Sequence, residues 1–167
     1  MTTTSDDLRL RIAPATRKDV PLLLALIREL AEFERLTHVV RVTEAVLEES
    51  LFGDRPAAEA VLGYCNDEPV AYAVFFTNFS TFLGRPGLYL EDLYVRPSAR
   101  RSGIGKAMLR YVAQVCVERG YGRIEWVVLD WNEPAIRFYQ SLGAAPVPEW
   151  RVFSLGGDAL TDLTKAE

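Results

Sequence analysis

The sequence predicts an α/β fold in which one mixed β-sheet carries helices on both of its faces. Stretches with apolar residues at helical spacing alternate with short β-rich runs, and turn-forming clusters of Gly, Pro, Asn and Asp separate them. The predicted order of elements along the chain is β-α-α-β-β-β-α-β-α-β. With 167 residues, 49% of them hydrophobic, the chain is long enough to bury the core of one domain. We expect that domain to span residues 8–167, after a flexible polar tail over 1–7.

The first half of the chain contains two predicted helices and four predicted strands. Thr16 and Asp19 have the spacing of a capping box, and apolar residues at helical period follow them. The cluster Asn-Asp-Glu-Pro at 66–69 is typical of the turn between the two strands of a hairpin. The predicted helices cover residues 16 to about 34 and 43–51, and the predicted strands cover 8–12, 60–64, 70–78 and 88–95.

The second half of the chain contains two further helices and two further strands. A helix follows residues 101–105, and its apolar face is marked by residues at helical spacing within 108–116. The continuous apolar run at 124–129 predicts a strand, and Asn132 is expected to cap the helix that comes next. Residues 150–155 are predicted to form the last strand.

Charge, cysteine content and hydropathy exclude several classes of protein. The net charge is −4 at pH 7 and the isoelectric point is about 5.2, so a nucleic-acid partner is not favoured. No apolar run reaches the length needed to cross a bilayer, and the N-terminus lacks the pattern of a signal peptide. Cys65 and Cys116 form no CxxC and offer no zinc spacing, so we expect no metal and interpret them as buried thiols of a reducing compartment. These observations predict a cytoplasmic protein that binds neither membrane nor nucleic acid.

Residues 100–106, Arg-Arg-Ser-Gly-Ile-Gly-Lys, place two glycines and three cations at the start of a predicted helix. The glycines let consecutive N–H groups point one way, at a helix terminus whose dipole favours anions. The cations oppose that dipole, so a purely structural helix start should avoid them. A Walker A motif would need a glycine at position 100 and Ser or Thr at 107, and a Rossmann fingerprint would need a small residue at 108, so both fail. The pattern favours an anion-binding loop over its alternative, a solvated turn with an ordinary cap.

Four segments carry a resemblance to a known family. In order and spacing they are similar to the diamine (spermidine/spermine) and thialysine acetyltransferase branch of the GCN5-related N-acetyltransferase (GNAT) superfamily, whose R-x-x-G-x-G pattern stands at 100–105. The resemblance covers about residues 9–153 and implies the GNAT fold, a mixed and mostly antiparallel sheet whose central parallel strands splay apart. The segments are LIRELAEFE at 26–34, YLEDLYV at 89–95, RRSGIGKAML at 100–109 and WNEPAIRFYQSLGA at 131–144.

The resemblance implies acetyl-CoA as the cosubstrate. In the family the loop matching 100–106 holds the pyrophosphate, and the pantetheine arm lies in the gap between the splayed strands. The amide of Leu93 would then polarise the thioester carbonyl as a one-donor oxyanion hole. The residues that the resemblance assigns to the cofactor are Leu93, Tyr94, Val95, Arg100, Arg101, Ser102, Gly103, Ile104, Gly105, Lys106, Asn132, Ala135 and Phe138.

Acetyl transfer to an alkylamine needs a proton acceptor and a proton donor. The amine arrives protonated at neutral pH, and the departing thiolate must receive a proton. Glu91 and Asp92 are adjacent carboxylates inside a predicted strand, which is costly unless they are paired or used. In the family the glutamate matching Glu91 contacts the amine and can take its proton through water, and the tyrosine matching Tyr139 is the general acid. The alternatives are that both carboxylates pair with surface arginines and that Tyr139 packs against the sheet. His38 lies away from every motif and is interpreted as structural or surface.

The resemblance also suggests which residues contact the acceptor. Polyamine-acetylating members carry a longer, acid-rich segment before the last strand, whereas residues 143–150 contain one carboxylate here. This departure favours a shorter amine, such as thialysine, a lysine-like amino acid or a small diamine, over spermidine. The expected acceptor-contacting residues are Phe33, Glu34, Glu91, Asp92, Trp126 and Glu149.

The sequence therefore predicts an N-acetyltransferase that acts on a small basic amine by direct transfer from acetyl-CoA. The resemblance implies a homodimer that exchanges its final strand, residues 150–155. A protein N-terminal or lysine acetyltransferase stays open as an alternative, as does a catalytically silent CoA-binding module. The presence of both Glu91 and Tyr139 argues against the silent module, which needs neither residue.

Overall fold

A computed structural model describes residues 9–165, so the tail predicted at 1–7 lies outside the described residues. The chain divides into two compact units, the first ending at Val127 and the second beginning at Val128. Among the described residues, no helix combines the length and the apolar character needed to span a membrane.

The first unit contains five strands and three α-helices, and each predicted helix and strand of this region is present. Thr16 and Asp19 form the predicted capping box, in which the Thr16 N–H donates to Asp19 Oδ2 at 2.7 Å. Asn66 and Asp67 both have positive φ, as a tight two-residue hairpin turn requires. The elements are β1 Leu10–Pro14, α1 Val20–Phe33, α2 Glu44–Phe52, β2 Glu59–Cys65, β3 Glu68–Ser80, β4 Arg85–Val95, α3 Ile104–Glu118 and β5 Ile124–Glu125.

The five strands form one mixed sheet in the order β1-β2-β3-β4-β5. The first four strands pair antiparallel with their neighbours, whereas β4 and β5 are parallel. The predicted fold class, an α/β protein with a mixed and mostly antiparallel sheet, is confirmed.

Helices cover both faces of this sheet. On one face α1 and α2 bury a cluster against β2, β3 and β4, in which Leu23 and Tyr72 are fully buried. On the other face α3 approaches so closely that a Cβ at Gly63 would lie 2.8 Å from Met108 Sδ. Gly63 is therefore needed where the α3 helix meets β2.

A β-bulge in β4 leaves Glu91 outside the regular pairing. Phe75 lies opposite Leu90 and Val74 lies opposite Asp92, so Glu91 is the extra residue on β4. Directly paired residues share a face of the sheet. Leu90 therefore lies on the face of Phe75, while Asp92 lies with Val74 on the face that α1 and α2 cover.

The strand predicted at 124–129 is shorter than expected, because ladder pairing ends at Glu125. A continuous apolar run predicts that side chains are buried. It does not say how far the backbone keeps a hydrogen-bonding partner, which is what defines the strand.

The second unit contains α4, Glu133–Ser141, and the short α5, Gly157–Asp162. The Asn132 cap is confirmed, since its Oδ1 accepts a hydrogen bond from the Ala135 N–H at 3.3 Å. The strand predicted over 150–155 is wrong for the chain by itself, because these residues have no regular secondary structure. Their β-rich composition is real, but Trp150 and Phe153 are 72% and 90% exposed, and a strand needs a partner backbone to pair with.

Candidate active site

The predicted anion-binding loop lies between β4 and α3 and begins the α3 helix. Gly103 is the N-cap residue with φ +83°, a left-handed conformation that favours glycine, and Arg101 is also left-handed at φ +64°. The Ala107 N–H donates to the Gly103 carbonyl at 3.0 Å as the first helical hydrogen bond. The N–H groups of the three residues before Ala107 therefore point out of the helix N-terminus, where the dipole favours an anion.

The three cations of this loop have different surroundings. The Arg100 Nε donates to the Val95 carbonyl at 2.8 Å, and its guanidinium lies 4.5 Å from the centre of the Phe33 ring. Arg100 thus joins the loop to the ends of β4 and α1. Arg101 and Lys106 are exposed beside the helix N-terminus. With the N–H groups of α3, they give the loop the donors and the charge that fit a phosphate group.

The edge of β4 that faces away from β3 is available for a ligand's amide groups. Among the described residues, β4 pairs with β5 at Leu88–Ile124 and Tyr89–Glu125, and the pairing stops there. The Arg96 N–H donates to the Val70 carbonyl on β3 at 2.8 Å, and N–H directions alternate along a strand. The Leu93 N–H therefore points to the opposite edge of β4, beyond the last pair with β5.

Asp92 is the most strongly perturbed carboxylate of the site. The pKa of Asp92 is raised to about 6: burial raises it most, a hydrogen bond from the Tyr72 hydroxyl lowers it, and the nearby Glu91 and Glu34 carboxylates contribute to the increase. The Tyr72 hydroxyl donates to Asp92 Oδ2 at 3.0 Å. Burial also raises the pKa of Glu34, the residue at the C-cap of α1. Two of the predicted acceptor-contacting residues, Glu34 and Glu91, therefore lie near enough to repel a third, Asp92, and a cation beside Asp92 would relieve that repulsion.

A fourth carboxylate, Glu125, lies on the same face of the sheet as Asp92. Tyr89 is paired with Glu125, and burial raises the pKa of Tyr89, with further contributions from Glu91 and Glu125. The Asn78 amide donates to Glu125 Oε2 at 3.0 Å, and the Arg123 Nε lies 2.9 Å from the same oxygen. Glu125 thus already has a cation and an amide as partners, unlike the predicted carboxylates on β4.

An ion pair fixes α1 across the end of β4. Arg96 contacts Glu29 through two nitrogens, with Nη2 2.7 Å from Oε1 and Nε 3.0 Å from Oε2, and its Nη1 donates to the Pro69 carbonyl. The hydrogen bonds from Arg96 hold the pKa of Glu29 below its usual range. This contact keeps the C-terminal end of α1, with Phe33 and Glu34, at the carboxylate face of the sheet.

The predicted site residues of the second unit lie on or near α4. Asn132 is buried and caps the helix, Ala135 donates to it, and Tyr139 is half-buried with its ring centre 5.2 Å from that of Phe138. Glu149 is exposed in the segment after α4. The roles predicted for these five residues stay predictions.

Two further sequence interpretations concern single residues. Trp126 directly follows β5 and is half-buried, and its role with the acceptor stays a prediction. His38 lies exposed in a short 3₁₀ turn after α1, as a surface residue would. Among residues 9–165, no group of three or more His, Cys, Asp or Glu side chains could hold a metal ion.

Tyr72 is the site residue that the sequence interpretation missed. It stands between alanines in the buried run Val-Ala-Tyr-Ala-Val at 70–74. A phenol in the middle of a buried strand needs a hydrogen-bond partner, and that requirement was the available signal.

Comparison with known proteins supports the family that the motifs suggested. Residues 24–144 match the model of the Acetyltransferase (GNAT) family. The chain is 36% identical to the L-ornithine N5-acetyltransferase NATA1 of Arabidopsis thaliana, over 93% of this chain and 88% of that protein. It is 35% identical to the thialysine N-epsilon-acetyltransferase of Mus musculus, over 92% of this chain and 96% of the mouse protein.

Solved structures share the fold at lower sequence identity. An integron cassette protein from V. cholerae superimposes with a TM-score of 0.79 at 22% identity, covering 94% of this chain and 98% of its own. A metagenomic aminoglycoside acetyltransferase solved with sisomicin gives a TM-score of 0.73 at 19% identity, covering 88% and 97%. The matches in sequence confirm the resemblance to the diamine and thialysine acetyltransferase branch, and the solved structures agree in fold. The chain is therefore an acyltransferase and belongs to the acetyltransferase (GNAT) family.

Proposed function

We propose that this protein transfers the acetyl group of acetyl-CoA to the primary amine of a small basic substrate. The single observation that carries the proposal is the half-buried Asp92 carboxylate on β4, which lies near Glu91 on the same strand and Glu34 at the end of α1. A substrate that carries an ammonium group supplies the positive charge that these carboxylates lack. The proteins at 36% and 35% identity are named for ornithine and thialysine, which fits an acceptor of this kind.

A short acceptor is favoured over a long polyamine. Glu34 and Glu91 both lie near Asp92, and Glu149 is the one carboxylate within 143–150. A long polycation is recognised by anions spaced along a groove, whereas an amino acid or small diamine presents its charges within a few bonds. Thialysine, ornithine and lysine-like amino acids are therefore the preferred class, ahead of spermidine.

The loop before α3 and the edge of β4 are assigned to acetyl-CoA, which supplies the acetyl group as a thioester. In this proposal Arg101, Lys106 and the N–H groups at the start of α3 hold the pyrophosphate. The Leu93 N–H donates to the thioester carbonyl, where negative charge develops during transfer. Asn132, Ala135 and Phe138 are assigned to the pantetheine end of the cofactor.

Two proton transfers accompany the reaction. An alkylammonium with a pKa of about 10.4 must lose a proton before its nitrogen can attack. Glu91, exposed on the bulge, is assigned to take this proton through water, while Asp92 faces the ammonium. Tyr139 is assigned to protonate the departing thiolate, because a phenol with a pKa near 10 matches that leaving group.

We also propose a cytoplasmic homodimer in which two copies exchange residues 150–155. The exposed apolar side chains of this segment, which include Trp150, Val152 and Phe153, support a partner that pairs with its backbone. Cys65 and Cys116 are both free thiols, which fits a reducing compartment.

Thiol release from acetyl-CoA across a panel of amines tests the function. The panel contains thialysine, ornithine, lysine, putrescine, spermidine, spermine and an N-terminal peptide, with mass spectrometry of each product. We expect faster release with thialysine or ornithine than with spermidine, because the carboxylates are clustered. Release with the peptide alone would instead identify a protein acetyltransferase. No release with any amine, despite acetyl-CoA binding, would favour the silent module.

Arg101→Ala tests the anion-binding loop. Loss of one charge-assisted contact of about 1.5–3 kcal/mol should raise the Kd of acetyl-CoA about 10- to 100-fold. Calorimetric titration with acetyl-CoA measures this effect. Arg110→Ala is the matched control, because Arg110 lies on the exposed side of α3 beyond the loop. An unchanged Kd in Arg101→Ala would remove Arg101 from the pyrophosphate site.

Tyr139→Phe tests the general acid. Removal of the phenol hydroxyl should lower kcat by about 10²- to 10⁴-fold, because the thiolate would then leave without a positioned proton donor. The Kd of acetyl-CoA should stay nearly the same. Steady-state kinetics and calorimetry on one preparation give both values, and wild-type turnover in the variant would show that another group protonates the thiolate.

Asp92→Asn should lower the activity of the protein and raise its stability. The pKa of Asp92 is about 6 in the folded chain and about 3.9 in an unfolded one, so burial of the ionised form destabilises the fold above pH 6. Below about pH 4 both states are protonated and this penalty disappears. We expect the variant to be about 1–3 kcal/mol more stable at pH 8, with a smaller difference at pH 4.

Urea unfolding at both pH values measures that difference, and kcat/KM for the amine should fall at least about tenfold in the same variant. Asp54→Asn, at an exposed position after α2, is the control for both measurements. A variant that keeps full activity and gains no stability would contradict the assigned role of Asp92.

A further inference from the structure

Tyr72, which is buried, and Asp92, which is half-buried, form a hydrogen-bonded pair across β3 and β4. Tyr72 has no exposed surface, and its hydroxyl lies 3.0 Å from Asp92 Oδ2. In the ladder Tyr72 is opposite Tyr94 and Val74 is opposite Asp92, so the phenol reaches its partner diagonally along one face of the sheet. That contact exists because the bulge at Glu91 moves Asp92 onto the face of Tyr72.

The direction of this hydrogen bond is fixed by the chemistry of the pair. Burial, with additional effects from Asp92, Glu34 and Tyr94, raises the pKa of Tyr72 far above its usual range. The phenol therefore stays protonated and donates, and the best acceptor for it is the ionised carboxylate. A bond of this kind favours the charged form of Asp92 against the effect of burial.

Two nearby carboxylates oppose the ionisation of Asp92. Glu91 on the same strand and Glu34 at the end of α1 are both carboxylates that raise its pKa. Tyr72, on β3, is the neighbour that lowers it. Among residues 9–165, the buried Tyr72 hydroxyl donates to Oδ2 of Asp92 and no side chain donates to Oδ1.

We propose that Tyr72 is a positioning residue for the acceptor: its hydroxyl holds Oδ2 of Asp92, so that Oδ1 accepts a hydrogen bond from the substrate ammonium. This inference rests on the proposed function and names a part of the site that the family motifs do not contain. Tyr72 itself does not touch the substrate. Its effect reaches the reaction through the orientation and the charge of Asp92.

Tyr72→Phe tests the inference in the pH profile of kcat/KM for the amine. Activity requires ionised Asp92 and falls as the pH drops through the pKa of that group. Without the phenol hydroxyl that pKa rises, so the acid limb should move up by about one pH unit. At pH 8 the KM of the amine should rise about tenfold while the KM of acetyl-CoA stays the same.

Tyr121→Phe is the matched control. The Tyr121 hydroxyl lies 3.3 Å from the Oγ1 atom of Thr77. Thr77 is on β3, as Tyr72 is, but it pairs with Leu88, whereas Asp92 pairs with Val74. Tyr121 lies in the segment between α3 and β5, and its replacement also removes a phenol hydroxyl that contacts β3, so we expect the wild-type profile. A general effect of losing a phenol hydroxyl would appear in both variants and would overturn the inference.

Site-specific 3-fluorotyrosine at position 72 decides the question if Tyr72→Phe does not fold. The fluorinated phenol keeps the shape of tyrosine and is a stronger donor, so the acid limb should move to lower pH, opposite to the phenylalanine variant. An unmoved limb in the fluorotyrosine protein would overturn the role of Tyr72. If the wild type itself releases no thiol with any amine, the proposed function fails. If the protein is active but the acid limb of its pH profile does not move in the variants, only the role of Tyr72 is refuted.

Discussion

Leu90 and Asp92 are two residues apart on β4, and yet they lie on opposite faces of the sheet, because Glu91 is bulged out between them. The first part of β4 can therefore bury apolar side chains on the α3 side, while the second part presents a carboxylate on the side of α1. A regular strand would place Asp92 with Leu90 on the α3 side of the sheet, away from the Tyr72 hydroxyl. The carboxylate cluster, the contact with Tyr72 and the direction of the Leu93 N–H all depend on this one extra residue.

The β4 strand connects the carboxylates of the site with the positively charged loop before α3. Its last residues run past Asp92 to Val95, and the following loop turns into the N-terminus of α3 with Arg101 and Lys106 beside it. The Arg100 Nε donates to the Val95 carbonyl and its guanidinium lies over Phe33, and Arg96 pairs with Glu29, so two contacts join the C-terminal end of β4 to α1. An anionic cofactor and a cationic acceptor can thus bind close together without competing for the same charges.

Most of the fold follows from local patterns, because capping residues, turn residues and apolar periodicity each act over a few positions. Thr16, Asp19, Gly103 and Asn132 are at the element boundaries that their chemistry favours. The loop before α3 was predictable for the same reason. The length of β5 and the conformation of 150–155 were not, since both depend on whether a partner backbone lies alongside, which no local pattern encodes.

The carboxylates of the site were predictable as residues but not as an arrangement. Glu91 and Asp92 stand out as charges within an apolar strand, yet simple alternation would point only one of them at a given pocket. The bulge changes that alternation, and the register between β3 and β4 that creates it is a long-range property. Tyr72 escaped notice because its partner is twenty positions away along the chain.

The most direct test is a crystal structure with CoA and the preferred acceptor amine, in which the distance from the acceptor nitrogen to the nearest Asp92 oxygen is measured. We expect a hydrogen bond of about 2.7–3.2 Å to Oδ1, with Oδ2 still held by the Tyr72 hydroxyl. An acceptor nitrogen more than about 5 Å from Asp92, with no bridging water, would contradict the view that this carboxylate recognises the amine.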